Sequence, residues 1–193
     1  MMSLQRYFTT FLLILFVGLG AYYLVHYGYY PVALVNSQII TANHFEVEYA
    51  VAYNYYVRAL SSSGDTDPRT REFKKELRRA VLDNLVEQAL VQQDLNVRVG
   101  KELNQIVQGK ILNSQKLDPK TLEETARVVY GLDLSEFESL VLVPQAQKEI
   151  LQGRLFLEKQ DYEQWLRDAK KNAKVFIVTP EFYWQDLTVK LRD

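Results

Sequence analysis

The sequence contains no cysteine among its 193 residues and only two histidines, His26 and His44. Without cysteine there are no disulfides, no thiolate metal site and no cysteine nucleophile. Histidine ligation needs several convergent donors, and neither HxxxH nor HExxH occurs. No metal and no cofactor is therefore expected. Walker and G-x-S-x-G patterns are missing as well; Gly18-Leu19-Gly20 lies inside an apolar run and is no phosphate loop. The carboxylate pairs Glu123-Glu124 and Glu136 with Glu138 fit solvated helix faces better than the two sides of a glycosidase cleft. No catalytic residue is assigned. Nor is there an excess of either charge: 23 Lys and Arg oppose 24 Asp and Glu, for a net charge of −1. A nucleic-acid-binding surface, which needs a basic excess, is not expected.

Apolar residues make up 48% of the chain and charged residues 24%, the balance of a folded protein. Their distribution is uneven. Residues 7–30 form a run without any charge, centred on Phe11 to Val17. About 20 helical residues suffice to cross a hydrocarbon core of about 30 Å. Tyr22, Tyr23, Tyr27, Tyr29 and Tyr30 crowd the far end as an interfacial aromatic belt does. Arg6 precedes the run, so residues 1–6 are expected in the cytoplasm and everything after residue 30 outside, in a single-pass bacterial cytoplasmic membrane protein. A cleaved signal peptide is the rival, since Gly18-Leu19-Gly20 offers a small-x-small site. Apolar residues continue past it to Val25, which favours an uncleaved anchor in contact with lipid.

After Pro31 the pattern changes. Val32 to Val35 and Ile39-Ile40 read as short strands around an Asn36-Ser37 turn. Thr41 is placed to cap a helix over residues 42–60. A polar loop follows at residues 61–66, and Asp67-Pro68 reads as a cap with proline at the first helical position. The helix it starts should run to Leu95, with Phe73, Leu77, Val81, Leu85 and Leu90 on one face. Gly100 ends that pattern. Helices are expected over residues 101–113, from Asp118-Pro119 to Tyr130 with Gly131 past its end, and from a Ser135 cap to Val143. Pro144 should kink or divide the next helix, which resumes to Glu158. Asp161 caps another over residues 162–173. Lys174 to Val178 is rich in β formers. A lone strand cannot satisfy its own backbone, so this segment is expected to pair with residues 32–40. Thr179-Pro180-Glu181 is read as the start of a last short helix.

The order of these pieces resembles the N-terminal domain of SurA-like periplasmic chaperones and the related anchored foldases. Four stretches carry the resemblance: Val32-Ala33-Leu34-Val35-Asn36 with Ile39-Ile40-Thr41; Ala80 to Leu90; Tyr130 to Phe137; and Trp165-Leu166 through Ile177. Ser37 departs from it, standing where the family has glycine. The resemblance implies a mainly α fold, with an N-terminal transmembrane helix and a helical body over residues 31–179 closed by pairing of its first and last β segments. Residues 180–193 form an aromatic tail. Relatives carry a parvulin-type prolyl isomerase domain between the helical body and the closing helix. Only a few residues separate Leu157 from Tyr162 here, so no isomerase activity carries over.

Phe45, Tyr49, Tyr53 and Tyr56 recur at four, four and three residues on one helix face. They are either core packing or an adaptable apolar groove for unfolded chains, to which tyrosine is suited by its rigid ring and water-tolerant hydroxyl. Phe182, Tyr183 and Trp184 form a second cluster, either a plug over the domain end or a docking motif. The expected function is a non-catalytic, membrane-anchored holdase for unfolded or newly exported polypeptides. A scaffold for one envelope protein partner is the alternative, and a prolyl isomerase the least supported.

Overall fold

The computed structural model describes residues 2–60, 67–117 and 119–192. The expected polar loop at 61–66 and the expected cap Asp118 lie outside the described residues. Helix α1 (Met2–His26) is followed by strands β1 (Pro31–Val35) and β2 (Gln38–Thr41), then helices α2 (Ala42–Leu60), α3 (Arg71–Arg98), α4 (Leu103–Leu117), α5 (Pro119–Thr125), α6 (Leu134–Phe137), α7 (Val143–Leu157) and α8 (Tyr162–Asn172). Strand β3 (Val175–Ile177) and the hairpin β4 (Phe182–Gln185) and β5 (Thr188–Leu191) complete the chain. The fold is mainly helical, with small antiparallel sheets drawn from its two ends, as the sequence implies.

The expected clasp between the two ends forms. β1 lies between β2 and β3, opposing Ala33 to Ile177, Leu34 to Phe176 and Val35 to Val175. Asn36 makes the β1–β2 turn possible. It takes the left-handed conformation itself, at φ 55, which asparagine tolerates better than most residues. Ser37 thus has no need of the family's glycine. The Asn36 backbone N–H donates to the Lys174 carbonyl at 2.8 Å, and its side-chain oxygen accepts from the Lys174 N–H at 2.9 Å. The turn of the first hairpin therefore also seats the closing strand.

Several boundaries differ from the sequence expectations. Helix α3 is capped by Thr70, whose side chain accepts from the Phe73 N–H, three residues beyond Asp67. Asp67 instead caps a tight turn, accepting from the Arg69 N–H at 2.9 Å. Asp133, not Ser135, caps α6, in a capping box with Glu136. Residues 126–130 and 138–142 are π-helical turns, the second directly before the helix that holds Pro144. The wider turn relieves the clash of the proline ring with the preceding carbonyls, so the expected division of the helix takes this form.

The largest correction concerns residues 179–191, where no helix forms. Asp186 and Leu187, at φ 53 and 62, make a tight turn of the type that closes two-residue hairpins. Phe182 and Val189 are buried by it. The tail is part of the body: Phe182 meets Phe45 edge to face at 6.2 Å between centroids. Two side chains of α3 grip the hairpin backbone at Val189. Asp83 accepts from its N–H at 2.9 Å, and Arg79 donates to its carbonyl at 3.1 Å.

The buried residues form two clusters. One gathers β1, β2, α2, the first two thirds of α3 and the hairpin. The other joins the end of α3 to α4 and α7 through Leu95, Leu103, Val107, Ile111, Leu151 and Leu155.

Candidate functional site

The aromatic face of α2 is divided by the fold. Phe45 is a core residue, 2% exposed. Tyr49 and Tyr53 are half-buried against the first core cluster and stack on each other at 6.0 Å. The Arg78 guanidinium covers both Phe45, at 4.7 Å, and Tyr49, at 5.2 Å, while its fork holds Glu46 at 2.9 and 3.0 Å. Burial raises the Tyr49 hydroxyl above its ordinary pKa. Tyr56 is different. It is 41% exposed and meets Phe73 edge to face at 5.8 Å. In the tail, Phe182 is buried and Tyr183 and Trp184 are half-buried, Trp184 against the first cluster.

Tyr56 opens onto a groove that the spacing on α2 does not reveal. One wall is α2 and α3, with Val51, Ala52, Tyr55, Tyr56, Leu77 and Val81. The other is the chain from Tyr130 to the π-helical turn before α7, with Leu140 and Val141. This part is about 300 Å³ in volume. A second cleft of about 280 Å³ adjoins it, sharing Glu48, Asn84, Leu140 and Val141 and ending at Pro144, Lys148 and Tyr162. Apolar rings thus line one end and mixed polar groups the other. Burial, then the nearby Glu87 and Glu163, push the Tyr162 hydroxyl up to about 12. Tyr55 stacks on Tyr130 at 5.2 Å, and Tyr130 meets Phe137 at 5.0 Å. Tyr55 and the far wall were missed from sequence; Tyr130 ahead of Gly131, and Pro144 within a helical pattern, were the signals available.

Arg58 joins the two walls. From near the end of α2 it donates to the carbonyls of Arg127, at 2.7 Å, and Val128, groups left over where the π-helical turn ends. Gly131 takes φ 75, and a Cβ there would stand 2.7 Å from Arg58 Nη2. Gly131→Ala is expected to cost at least about 1–2 kcal/mol for the left-handed conformation alone and to dislodge Arg58. A thermal melt shifted by no more than experimental error would refute that role.

Among the described residues no group of three or more His, Cys, Asp or Glu is placed to hold a metal. The geometry is a groove with aromatic walls on a helical scaffold closed by its chain ends. The sequence profile described as SurA-like N-terminal domain matches residues 4–125; the chain belongs to this chaperone-type family, and no parvulin domain is matched. Neither the curated proteins nor the solved structures contain a match.

Proposed function

We propose that this chain is a chaperone domain held on the outer side of the bacterial cytoplasmic membrane by α1, and that it captures unfolded or newly exported segments without catalysing a reaction on them. The groove between α2, α3 and the Tyr130–Val141 wall carries this reading. It offers tyrosine rings and aliphatic side chains on both sides, a surface that can bury apolar segments of varied sequence. The anchor reading is supported by Tyr7–His26, 20 helical residues that include an unburied 18-residue stretch with a mean hydropathy of 2.1.

The full chain, reconstituted in lipid nanodiscs, is expected to delay aggregation of a chemically unfolded client at near-stoichiometric ratios. Changing Tyr55 and Tyr56 together to Ser should abolish most of that delay while lowering stability only by the loss of two ring pairs, about 0.5–1.5 kcal/mol each. Tyr53→Ser should lower the melting temperature first, because its ring packs on the core. No delay by the parent chain, together with saturable binding of one envelope protein, would replace the holdase with a scaffold.

The anchor has its own test. The chain should stay with membranes through a carbonate wash with residues 1–20 still attached. Recovery of a soluble form beginning near Ala21 would show that the apolar run is a signal peptide.

A further inference from the structure

On the outer face of the three-stranded sheet, Ile39, Phe176 and Val178 are exposed among the described residues. Leu34 lies between Ile39 and Phe176 in register, and alternation turns these three away from the core side formed by Ala33, Val35 and Ile40. Ile39 is 54% exposed, Phe176 66% and Val178 45%. A sheet face turned to water is ordinarily polar. This one draws on residues 31–41, which hold no charge, and on residues 174–178, whose one charge is Lys174. A contiguous apolar surface without an acidic group marks a contact.

Its position says with what. β1 starts at Pro31, shortly after α1 ends at His26, and the junction between them is braced. The Ala42 N–H donates to the Tyr30 carbonyl at 2.9 Å and the Asn43 N–H to the Gly28 carbonyl at 2.8 Å. Gly28 holds φ +68, and a Cβ there would come within 3.0 Å of the Asn43 nitrogen. Leu34 is therefore no more than about 14 Å of extended chain from Tyr30. A membrane-spanning Tyr7–His26 covers about 30 Å, the full hydrocarbon thickness. Tyr27, Tyr29 and Tyr30 then stand in the headgroup layer, and the sheet begins at its outer boundary.

We infer that Leu34, Ile39, Phe176 and Val178 rest on the lipid surface, with Lys174 facing the phosphates, so that the domain lies against the bilayer instead of standing off on a stalk. This rests on the reading of α1 as a membrane span. A client segment or a second copy of the chain is the competing occupant.

A chain without cysteine makes the test direct. Single-cysteine variants F176C, I39C, Y27C and V128C of the full chain, each labelled with an environment-sensitive fluorophore, would be reconstituted in liposomes of zwitterionic and anionic phospholipid containing headgroup spin-labelled lipid. Val128 lies beside Arg58, about 24 Å along α2 from the braced junction. Labels at 176 and 39 are expected to shift to the blue and to be quenched about as strongly as the label at 27, with the label at 128 unaffected. Quenching at 27 but not at 176 and 39 would leave the anchor standing and overturn the lipid contact. Disulfide-linked dimers of unlabelled F176C without quenching would assign the face to a second copy and overturn it too. No quenching at 27 would remove the anchor and this inference together.

Discussion

A chain that stops after Asn172 is expected not to form its first core. The truncation removes β3 and the whole β4–β5 hairpin, and with them Phe182 and Val189, two of the largest fully buried side chains. Burying each such side chain is worth about 1.5–3 kcal/mol. Their removal also uncovers Phe45 and leaves the edge of β1 with unpaired backbone groups beside buried Ala33 and Val35. A domain holds only about 5–15 kcal/mol in total. Loss on this scale should abolish the cooperative melt and open α2 to proteases. The second cluster draws nothing from the hairpin, so part of the helical circular dichroism should survive. A truncated chain that melts cooperatively at the parent temperature would disprove the clasp.

Lys170→Met is expected to be the most damaging single change of charge. Lys170 reaches from α8 to α3, where its ammonium meets Glu87 at 2.6 Å and Asp83 at 3.6 Å. Its side chain is 10% exposed, those of Asp83 and Glu87 20% and 25%. Methionine keeps much of the stem, so the loss is of charge more than of packing. Breaking a buried pair typically costs about 3–5 kcal/mol, because the remaining charges stay desolvated; the partial exposure here brings the expectation to about 2–3 kcal/mol. Asp83 also accepts from the Val189 N–H, so the hairpin should loosen along with α8. The double change Lys170→Met with Glu87→Met should recover part of the loss. A urea midpoint for Lys170→Met matching that of the parent would show that the cluster is solvated and idle.

Much of this fold was legible from residues with one strong local reason. The bounds of α2 followed from Thr41 and its apolar spacing, and Thr41 Oγ1 does accept from the His44 N–H at 3.3 Å. Gly131 was placed by its position past a helix, and the pairing of β1 with β3 by the need of a short strand for partners. The misplaced caps share a cause, which is that two local solutions were equally good. Asp67 and Thr70 are both fit to cap a helix, and Asp67 was taken up by the turn before it. Asp133 and Ser135 offered the same ambiguity two residues apart.

The hairpin was missed because Asp186-Leu187 holds two left-handed residues without glycine or asparagine, and Pro180 suggested a helix start. As for the groove, the spacing on α2 picked out only Tyr56 among its rings and could not tell which of the spaced rings pack on the core. Its opposite wall comes from a segment 75 to 90 residues later, brought there by Arg58 and the π-helical turns, and nothing local encodes that juxtaposition.

The place of β1 at the centre of the sheet sets a timetable for synthesis. β1 and β2 leave the ribosome early and together, but the other edge of β1 waits for β3. From Val35 to its partner Val175, 140 residues must be added, which at about 5–20 residues per second takes roughly 7–28 seconds. Throughout that interval the nascent chain displays an open strand edge and half a core. On the function proposed above, such a protein would itself need shielding before it could shield another chain.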